Sequence, residues 1–283
     1  MALVGYYALG NLFNITTNLQ LTELSRPTHP LLRQLLLKAP GTYHHSLVVA
    51  QLSENAANAI GANPLLARVC ALFHDVGKTP NSFYFCENQR ERSSPHAHLD
   101  PAESARIIKQ HVTEGVELAH KHHLPRAVID VIQQHHGTTL VRYFYQQAVE
   151  ASRSPFPSLA RKRANPLDVS PPESAPPDNP LPDEHAFRYD GPKPQFKESA
   201  IISLADGVEA TTRSLRQVRA EDLQETINRI FSERISDGQL DDAPLTLEEI
   251  TRIRNSFQFT LLNMLHSRVA YPPAENAIAE AKA

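Results

Sequence analysis

The sequence predicts an all-α fold made of many short helices. No apolar run alternates with period two for long enough to require a sheet, and the apolar residues recur at helical spacing instead. Prolines, glycines and capping residues divide the chain into segments of helical length. With 283 residues, of which 41% are hydrophobic and 21% charged, the chain can bury a substantial core.

Caps and helix-breaking residues set the predicted helix boundaries. Thr42 caps a first helix, Pro64 opens a second, and Asp100-Pro101-Ala102-Glu103 combines an acidic cap with proline at the first helical position. Thr246 and Glu249 form a capping box for the last helix. The predicted helices cover 42–60, 64–77, 100–111, 113–122, 125–135, 138–152, 195–215, 220–235 and 246–268.

Two stretches depart from this helical pattern. Eleven of the 22 prolines fall between Pro155 and Pro194, so the segment at about 152–186 is predicted to be a disordered, proline-rich insertion. Residues 1–13 are apolar but shorter than the roughly 20 residues that a membrane-spanning helix needs. From composition alone they are either a buried N-terminal helix or the end of a membrane helix.

Composition excludes some classes and points to another. A net charge of −3 argues against binding a nucleic acid polymer, and two cysteines exclude a disulfide scaffold. The chain has 14 histidines, and eleven of them lie between His44 and His136. Because neutral imidazole is the commonest nitrogen ligand of metals, this crowding predicts a metal site.

Several of these histidines fall at predicted helix ends, where side chains from different helices can converge. His45 is placed in a first helical turn, His74 and Asp75 together at a helix end, and His111 at another end. His135 and His136 end a later helix. Asp206 stands in an apolar helical run, where a lone buried carboxylate needs a partner.

These residues form an H…HD…D pattern that resembles the HD-domain metal-dependent phosphohydrolases. The chain more specifically resembles the cytoplasmic HD domain of the seven-transmembrane HD proteins, the cyclic di-AMP phosphodiesterases of the PgpH type. This likeness extends over residues 10–272, apart from the insertion. The motifs that carry it are GTYHHS at 41–46, GANPLLARV at 61–69, HDVGK at 74–78, ENQ at 87–89, QHHGTTLV at 134–141, FRYDGPKPQ at 187–195 and SLADGVEA at 203–210.

The resemblance implies two divalent transition-metal ions, with manganese or iron expected and cobalt or zinc as alternatives. The first ion would be held by His45, His74, Asp75 and Asp206. The second would be held by Asp75, His111, His135 and His136, with Asp75 bridging. Mixed imidazole and carboxylate donors suit such metals. A hydroxide between the ions would open cyclic di-AMP to linear pApA.

Other residues are candidates for contact with the substrate. Lys78 lies one turn past His74 and would reach a phosphate or the leaving group, so it joins Asp75 as a predicted catalytic residue; the alternative is a surface lysine. Gly137, Thr138 and Thr139 would start a helix whose amides bind phosphate, or else form a plain helix start. Arg142 and Tyr145, a turn further on, would contact the nucleotide.

The resemblance also implies a cellular context. Residues 1–28 would be the end of a membrane helix and a linker, 29–272 the phosphodiesterase domain, and 273–283 a flexible tail. The chain is then the cytoplasmic part of a bacterial inner-membrane protein in second-messenger signalling, and homo-oligomerisation is open. The alternatives are hydrolysis of cyclic di-GMP or of another nucleotide, or a sensor domain that binds a cyclic dinucleotide without turnover.

Overall fold

Ten α-helices joined by short 3₁₀ turns make up the computed structural model, which describes residues 16–89, 94–153, 180–214 and 219–266. Within these ranges the only β-type pairing is an isolated antiparallel bridge between Leu140 and Arg188, so the all-α prediction is confirmed. The helices are α1 (Asn18–Leu24), α2 (Pro30–Lys38), α3 (Pro40–Ala59), α4 (Pro64–Phe73), α5 (Pro101–Lys121), α6 (Arg126–Gln134), α7 (Arg142–Arg153), α8 (Lys197–Arg213), α9 (Ala220–Ser236) and α10 (Leu247–His266).

Helix α3 is central, and α4, α8 and α10 pack around it. Full burial of one large aliphatic or aromatic side chain contributes about 1.5–3 kcal/mol, so this packing is the main source of stability. It also fixes α3, which carries His45, against α8, which carries Asp206. The fully buried side chains around α3 include Val49, Leu52, Phe73, Ile201, Ile202, Leu204, Ile253 and Phe257.

One predicted boundary is wrong, because residues 101–121 form a single helix where two were expected. His111 therefore lies in the middle of α5, not at a helix end. Gly115 lies inside this continuous helix, where its lack of a side chain allows close packing against the 3₁₀ turn Val76–Lys78. A Cβ on Gly77 would lie 1.8 Å from the carbonyl oxygen of His111 and 2.5 Å from the amide nitrogen of Gly115. This contact places Asp75 beside His111.

Two predicted helix starts also differ from the structure. Helix α3 begins at Pro40, and Asn88 from a distant loop accepts hydrogen bonds from the amides of Gly41 and Thr42 at 3.0 and 3.2 Å. His45 thus lies past the first turn. Helix α7 begins at Arg142 rather than at 138, because the preceding residues pair with the segment around Arg188 instead.

Several predictions concern residues outside the described ranges. They include most of the insertion, at 154–179, the first 15 residues and the tail at 273–283. No helix among the described residues is long and apolar enough to cross a membrane.

Replacing Gly77 by alanine tests the contact between the turn and α5. We expect Gly77→Ala to lower the free energy of unfolding by about 1–3 kcal/mol or more, because the new methyl group meets backbone atoms that a rotamer change cannot move. Urea unfolding gives the measurement. The control is Lys121→Ala at the exposed end of α5, which should stay within about 0.5 kcal/mol of wild type. Equal stability of wild type and Gly77→Ala would contradict the close contact.

Candidate metal centre

Five parts of the fold bring the predicted ligands to one point. Helix α3 supplies His45, and α5 supplies His111. The residues just after α4 supply His74 and Asp75, and α8 supplies Asp206. The end of α6 adds His135 and His136. All seven predicted ligand positions therefore converge, although they are spread over more than 160 residues of sequence.

The seven side chains form two groups that share Asp75. In each group the candidate ligand atoms lie within 4.8 Å of one another. The Oδ2 atom of Asp75 lies 3.5 Å from His45 Nε2 and 3.4 Å from His74 Nε2. The Oδ1 atom lies 3.4 Å from His111 Nε2 and 3.7 Å from His135 Nε2. Each carboxylate oxygen thus faces its own pair of imidazoles.

Backbone carbonyls orient three of these rings in the same way. The Nδ1 atoms of His74, His111 and His135 lie 2.7, 2.6 and 2.8 Å from the carbonyl oxygens three residues earlier. Each ring therefore donates through Nδ1, which leaves the Nε2 lone pair directed at Asp75. Such a bond to the second ring nitrogen is the usual way in which proteins fix a metal-binding imidazole.

The polar atoms at the middle of the site lack internal hydrogen bonds. Among the described residues, His74 Nε2 and Asp75 Oδ1 are buried without a hydrogen-bond partner, and His45 Nε2 and Asp75 Oδ2 have only ion-pair contacts, with Asp206 and Lys78. Leaving buried polar groups unpaired is costly. A pair of divalent cations bound between these atoms would remove that cost, so the residues present fit a dinuclear metal centre.

Burial keeps most of these imidazoles neutral, which is the form that binds metal. Burial, together with the neighbouring His74, lowers the pKa of His135 to about 3. The pKa values of His111 and His136 are also lowered, first by burial. His136 stacks on Tyr189 with ring centroids 4.2 Å apart, which fixes the plane of its ring.

His45 differs from these three imidazoles, because two carboxylates act on it. Burial alone would lower the pKa of His45, but the neighbouring carboxylates of Asp206 and Glu209 raise it to about 9. Glu209 contacts Nδ1, and Asp206 Oδ1 lies 3.1 Å from Nε2. His45 is thus oriented by a carboxylate, where His74, His111 and His135 are oriented by backbone carbonyls.

Lys78 is not the surface residue that one interpretation allowed. Its side chain is only 12% exposed, and Nζ lies 2.6 Å from Asp75 Oδ2 and 3.1 Å from Glu87 Oε1. Burial would raise the pKa of the Asp75 carboxyl, but the charge of Lys78 and the nearby imidazoles hold it well below its usual range. The ammonium group is therefore placed beside the carboxylate that joins the two groups.

The predicted phosphate-binding amides are already used inside the protein. The amides of Gly137, Thr138 and Thr139 donate to Gln134 O, Gln239 Oε1 and His136 O at 2.8, 2.9 and 3.1 Å. Because α7 starts only at 142, the expectation of a helix N-terminus at these residues is wrong.

Thr139 and Arg142 nevertheless line a cavity of about 630 Å³. Arg142 is exposed on the cavity wall. Tyr145 is half-buried against Phe187, with ring centroids 5.5 Å apart, and Gly137, Thr138 and Tyr145 are not among the lining residues described. Only two of the five predicted substrate residues therefore reach this cavity.

Sequence reasoning missed three side chains that surround the centre. Glu87, Tyr189 and Glu209 all stand in motifs that carry the resemblance, but no role was assigned to them. Glu209 follows Asp206 by three residues and so lies on the same helical face, which was a usable signal. Glu87 contacts Lys78 across the irregular turns between them, and Tyr189 contacts His136 from a segment distant in sequence, so no helical spacing indicates either contact.

The Lys78–Glu87 pair predicts an acid-dependent loss of stability. Burial would raise the pKa of Glu87, but Lys78 lowers it from 4.5 to about 2, so this stabilisation is present above pH 4.5 and is lost as the pH falls towards 2. Above pH 4.5, we expect the free energy of unfolding of Glu87→Gln to be roughly 3 kcal/mol lower than that of wild type.

Urea unfolding of metal-free protein across this pH range provides the test, and the gap between wild type and variant should shrink as the solution becomes more acidic. The control is Glu103→Gln, which removes an exposed pair with Arg106 and should have little effect at any pH. A gap that widens towards acid would contradict the assignment.

Comparisons with known proteins show which family the chain belongs to. The Bacillus subtilis cyclic-di-AMP phosphodiesterase PgpH is 41% identical over 94% of this chain, and its Listeria monocytogenes counterpart is 42% identical over 92%. The chain spans about a third of the length of these curated relatives, 34% and 33%.

Solved structures cover the same region. The crystal structure of the L. monocytogenes PgpH HD domain superposes with a TM-score of 0.72 at 40% identity, and covers 84% of this chain and 100% of that one. The same domain in complex with cyclic-di-AMP gives 0.72 at 41%, with 84% and 99% covered. The HD domain family model matches residues 42–211, a range that includes all seven candidate ligands, and the chain therefore belongs to the HD domain family.

Proposed function

We propose that this chain is a metal-dependent phosphodiesterase that hydrolyses cyclic di-AMP to linear pApA. The observation that carries the proposal is the position of Asp75, which presents one buried oxygen to each of two imidazole pairs. Two metals held about a shared carboxylate suit the in-line displacement of a phosphodiester. The relatives named for cyclic-di-AMP hydrolysis, and the solved complex of a similar domain with cyclic-di-AMP, support this substrate.

Each metal would have its own set of four ligands. His45, His74, Asp75 and Asp206 would hold one ion, while Asp75, His111, His135 and His136 would hold the other. Manganese or iron is proposed, with cobalt or zinc as alternatives, because imidazole and carboxylate donors suit these metals. When bound, the ions supply an activated water and neutralise charge on the phosphate oxygens.

The protein's own groups prepare the site for this chemistry. Backbone carbonyls and Glu209 orient the imidazoles before any metal arrives, so little reorganisation is required. Lys78 holds an ammonium proton donor beside Asp75, within reach of a phosphate oxygen or of the leaving 3′ oxygen. Glu87 positions that ammonium from the opposite side.

Substrate contacts are proposed for Thr139 and Arg142, which line the cavity. The structure offers no comparable support for Gly137, Thr138 and Tyr145. Attachment to a membrane through residues 1–28, a cytoplasmic location and homo-oligomerisation stay predictions.

A turnover assay with two substrates tests the function directly. Purified protein loaded with manganese or iron should convert cyclic di-AMP to pApA, and should act more slowly on cyclic di-GMP. Metal analysis of the same sample should give two ions per chain. Two bound metals with no product from either dinucleotide would favour the sensor interpretation and contradict the proposed activity.

Replacing Asp75 tests whether the two metals share a ligand. We expect Asp75→Asn to lose both ions and to lower turnover by more than about a hundredfold, because even residues that only orient ligands contribute about 10- to 100-fold. The matched control is Asp242→Asn, which changes an exposed aspartate and should keep metals and activity. Retention of one full metal equivalent by Asp75→Asn would show that the sites are independent.

A further inference from the structure

The 630 Å³ cavity is lined in part by residues that lie close in sequence to two candidate metal ligands. Thr139 on its wall follows His136 closely in sequence, and Thr211 is one to two turns past Asp206 on α8. The opposite wall is formed by α9, including Ile230. A ligand that reaches from the metal centre along α8 would therefore enter this cavity.

Four arginines line the cavity, and three of them have carboxylate partners. Arg142 and Arg229 both contact Glu233, at 3.2 and 3.1 Å. Arg188 forms a bidentate ion pair with Asp237, with hydrogen bonds of 3.1 and 3.0 Å. Arg188 also contacts Glu184 at 2.7 Å, so the three arginines face three carboxylates of the protein.

Arg234 differs from the other three. In the part of the chain that the structure describes, no hydrogen bond or ion pair is formed by its guanidinium group, although the residue is half-buried. The group packs over Gly207, where an added Cβ would lie 3.3 Å from Nη2. Gly207 directly follows Asp206, so an unpaired cation lies next to a candidate metal ligand.

Such an arrangement suits an anionic ligand. Burial lowers the pKa of Arg234, while Asp206 and Tyr189 oppose that effect without contacting the guanidinium group. A guanidinium group offers a planar fork of donors that matches two oxygens of a phosphate. Because the guanidinium group packs against Gly207, which directly follows Asp206, a phosphate bound there can belong to the same ligand as a phosphate held at the metals.

We propose that Arg234 binds the second, non-reacting phosphate of the cyclic dinucleotide while the first lies at the metal centre. This inference rests on the proposed function and adds a specificity residue to it. A diester with a single phosphate cannot make this contact. Arg234 therefore favours cyclic dinucleotides over simple phosphodiesters.

The test compares two substrates with the metal-loaded protein. Arg234→Met should raise the KM for cyclic di-AMP about tenfold or more, as expected for losing a charged hydrogen bond. It should leave kcat/KM for bis(4-nitrophenyl) phosphate and the metal content unchanged. Arg234→Lys, which keeps the charge without the fork, should give an intermediate KM. The control is Arg219→Met, an exposed arginine paired with Asp222 just before α9, which should behave as wild type.

The alternative outcomes are distinct. An unchanged KM for cyclic di-AMP in Arg234→Met would overturn the inference. A parallel loss on both substrates would place Arg234 in the metal chemistry and would also overturn it, while leaving the proposed function intact. Failure of the wild-type protein on both substrates, with metals bound, would overturn the proposed function and this inference with it.

Discussion

The centre of this protein depends on one buried carboxylate. Asp75 is 1% exposed, and its two oxygens face different pairs of imidazoles. Removing a carboxylate from water is costly, so it must be compensated by cations or hydrogen bonds. Lys78 supplies one cation, yet neither oxygen of Asp75 is in hydrogen-bond geometry. The helices packed around Asp75 leave its negative charge only partly compensated, and two bound metal ions would compensate the rest.

The side chains that contact Asp75 and His45 are themselves held by further ion pairs and hydrogen bonds. Lys78 contacts Glu87, which also accepts a hydrogen bond from the Thr42 hydroxyl at 3.0 Å. On the other side Glu209 contacts His45, and Arg213 lies 3.8 Å from Glu209 and 4.0 Å from Glu87. A chain of alternating charges therefore links both ends of the site. Because each member is fixed by the next, the ligands are oriented before a metal binds.

Local patterns predicted most of the helices, and the failures share a cause. The break expected near residue 112 does not exist, because Gly115 allows close approach to Gly77 without ending the helix. The start of α3 was displaced because its amides are capped by Asn88, 46 and 47 residues away in sequence. Glycine often ends a helix and asparagine often caps one within its own segment, but here Gly115 and Asn88 contact segments distant in sequence.

The sequence by itself determined the all-α class, the seven candidate ligands and their division into two groups with Asp75 in common. It could do so because helix periodicity is local and because the resemblance assigns each ligand to a motif. Only the tertiary structure decided that Lys78 is buried against Asp75 and that Gly137–Thr139 donate their amides internally. It also decided that Arg234 packs on Gly207 without an ion-pair partner among the described residues. Those properties depend on which distant side chains meet, and such meetings are set by packing of whole helices rather than by neighbours in the chain.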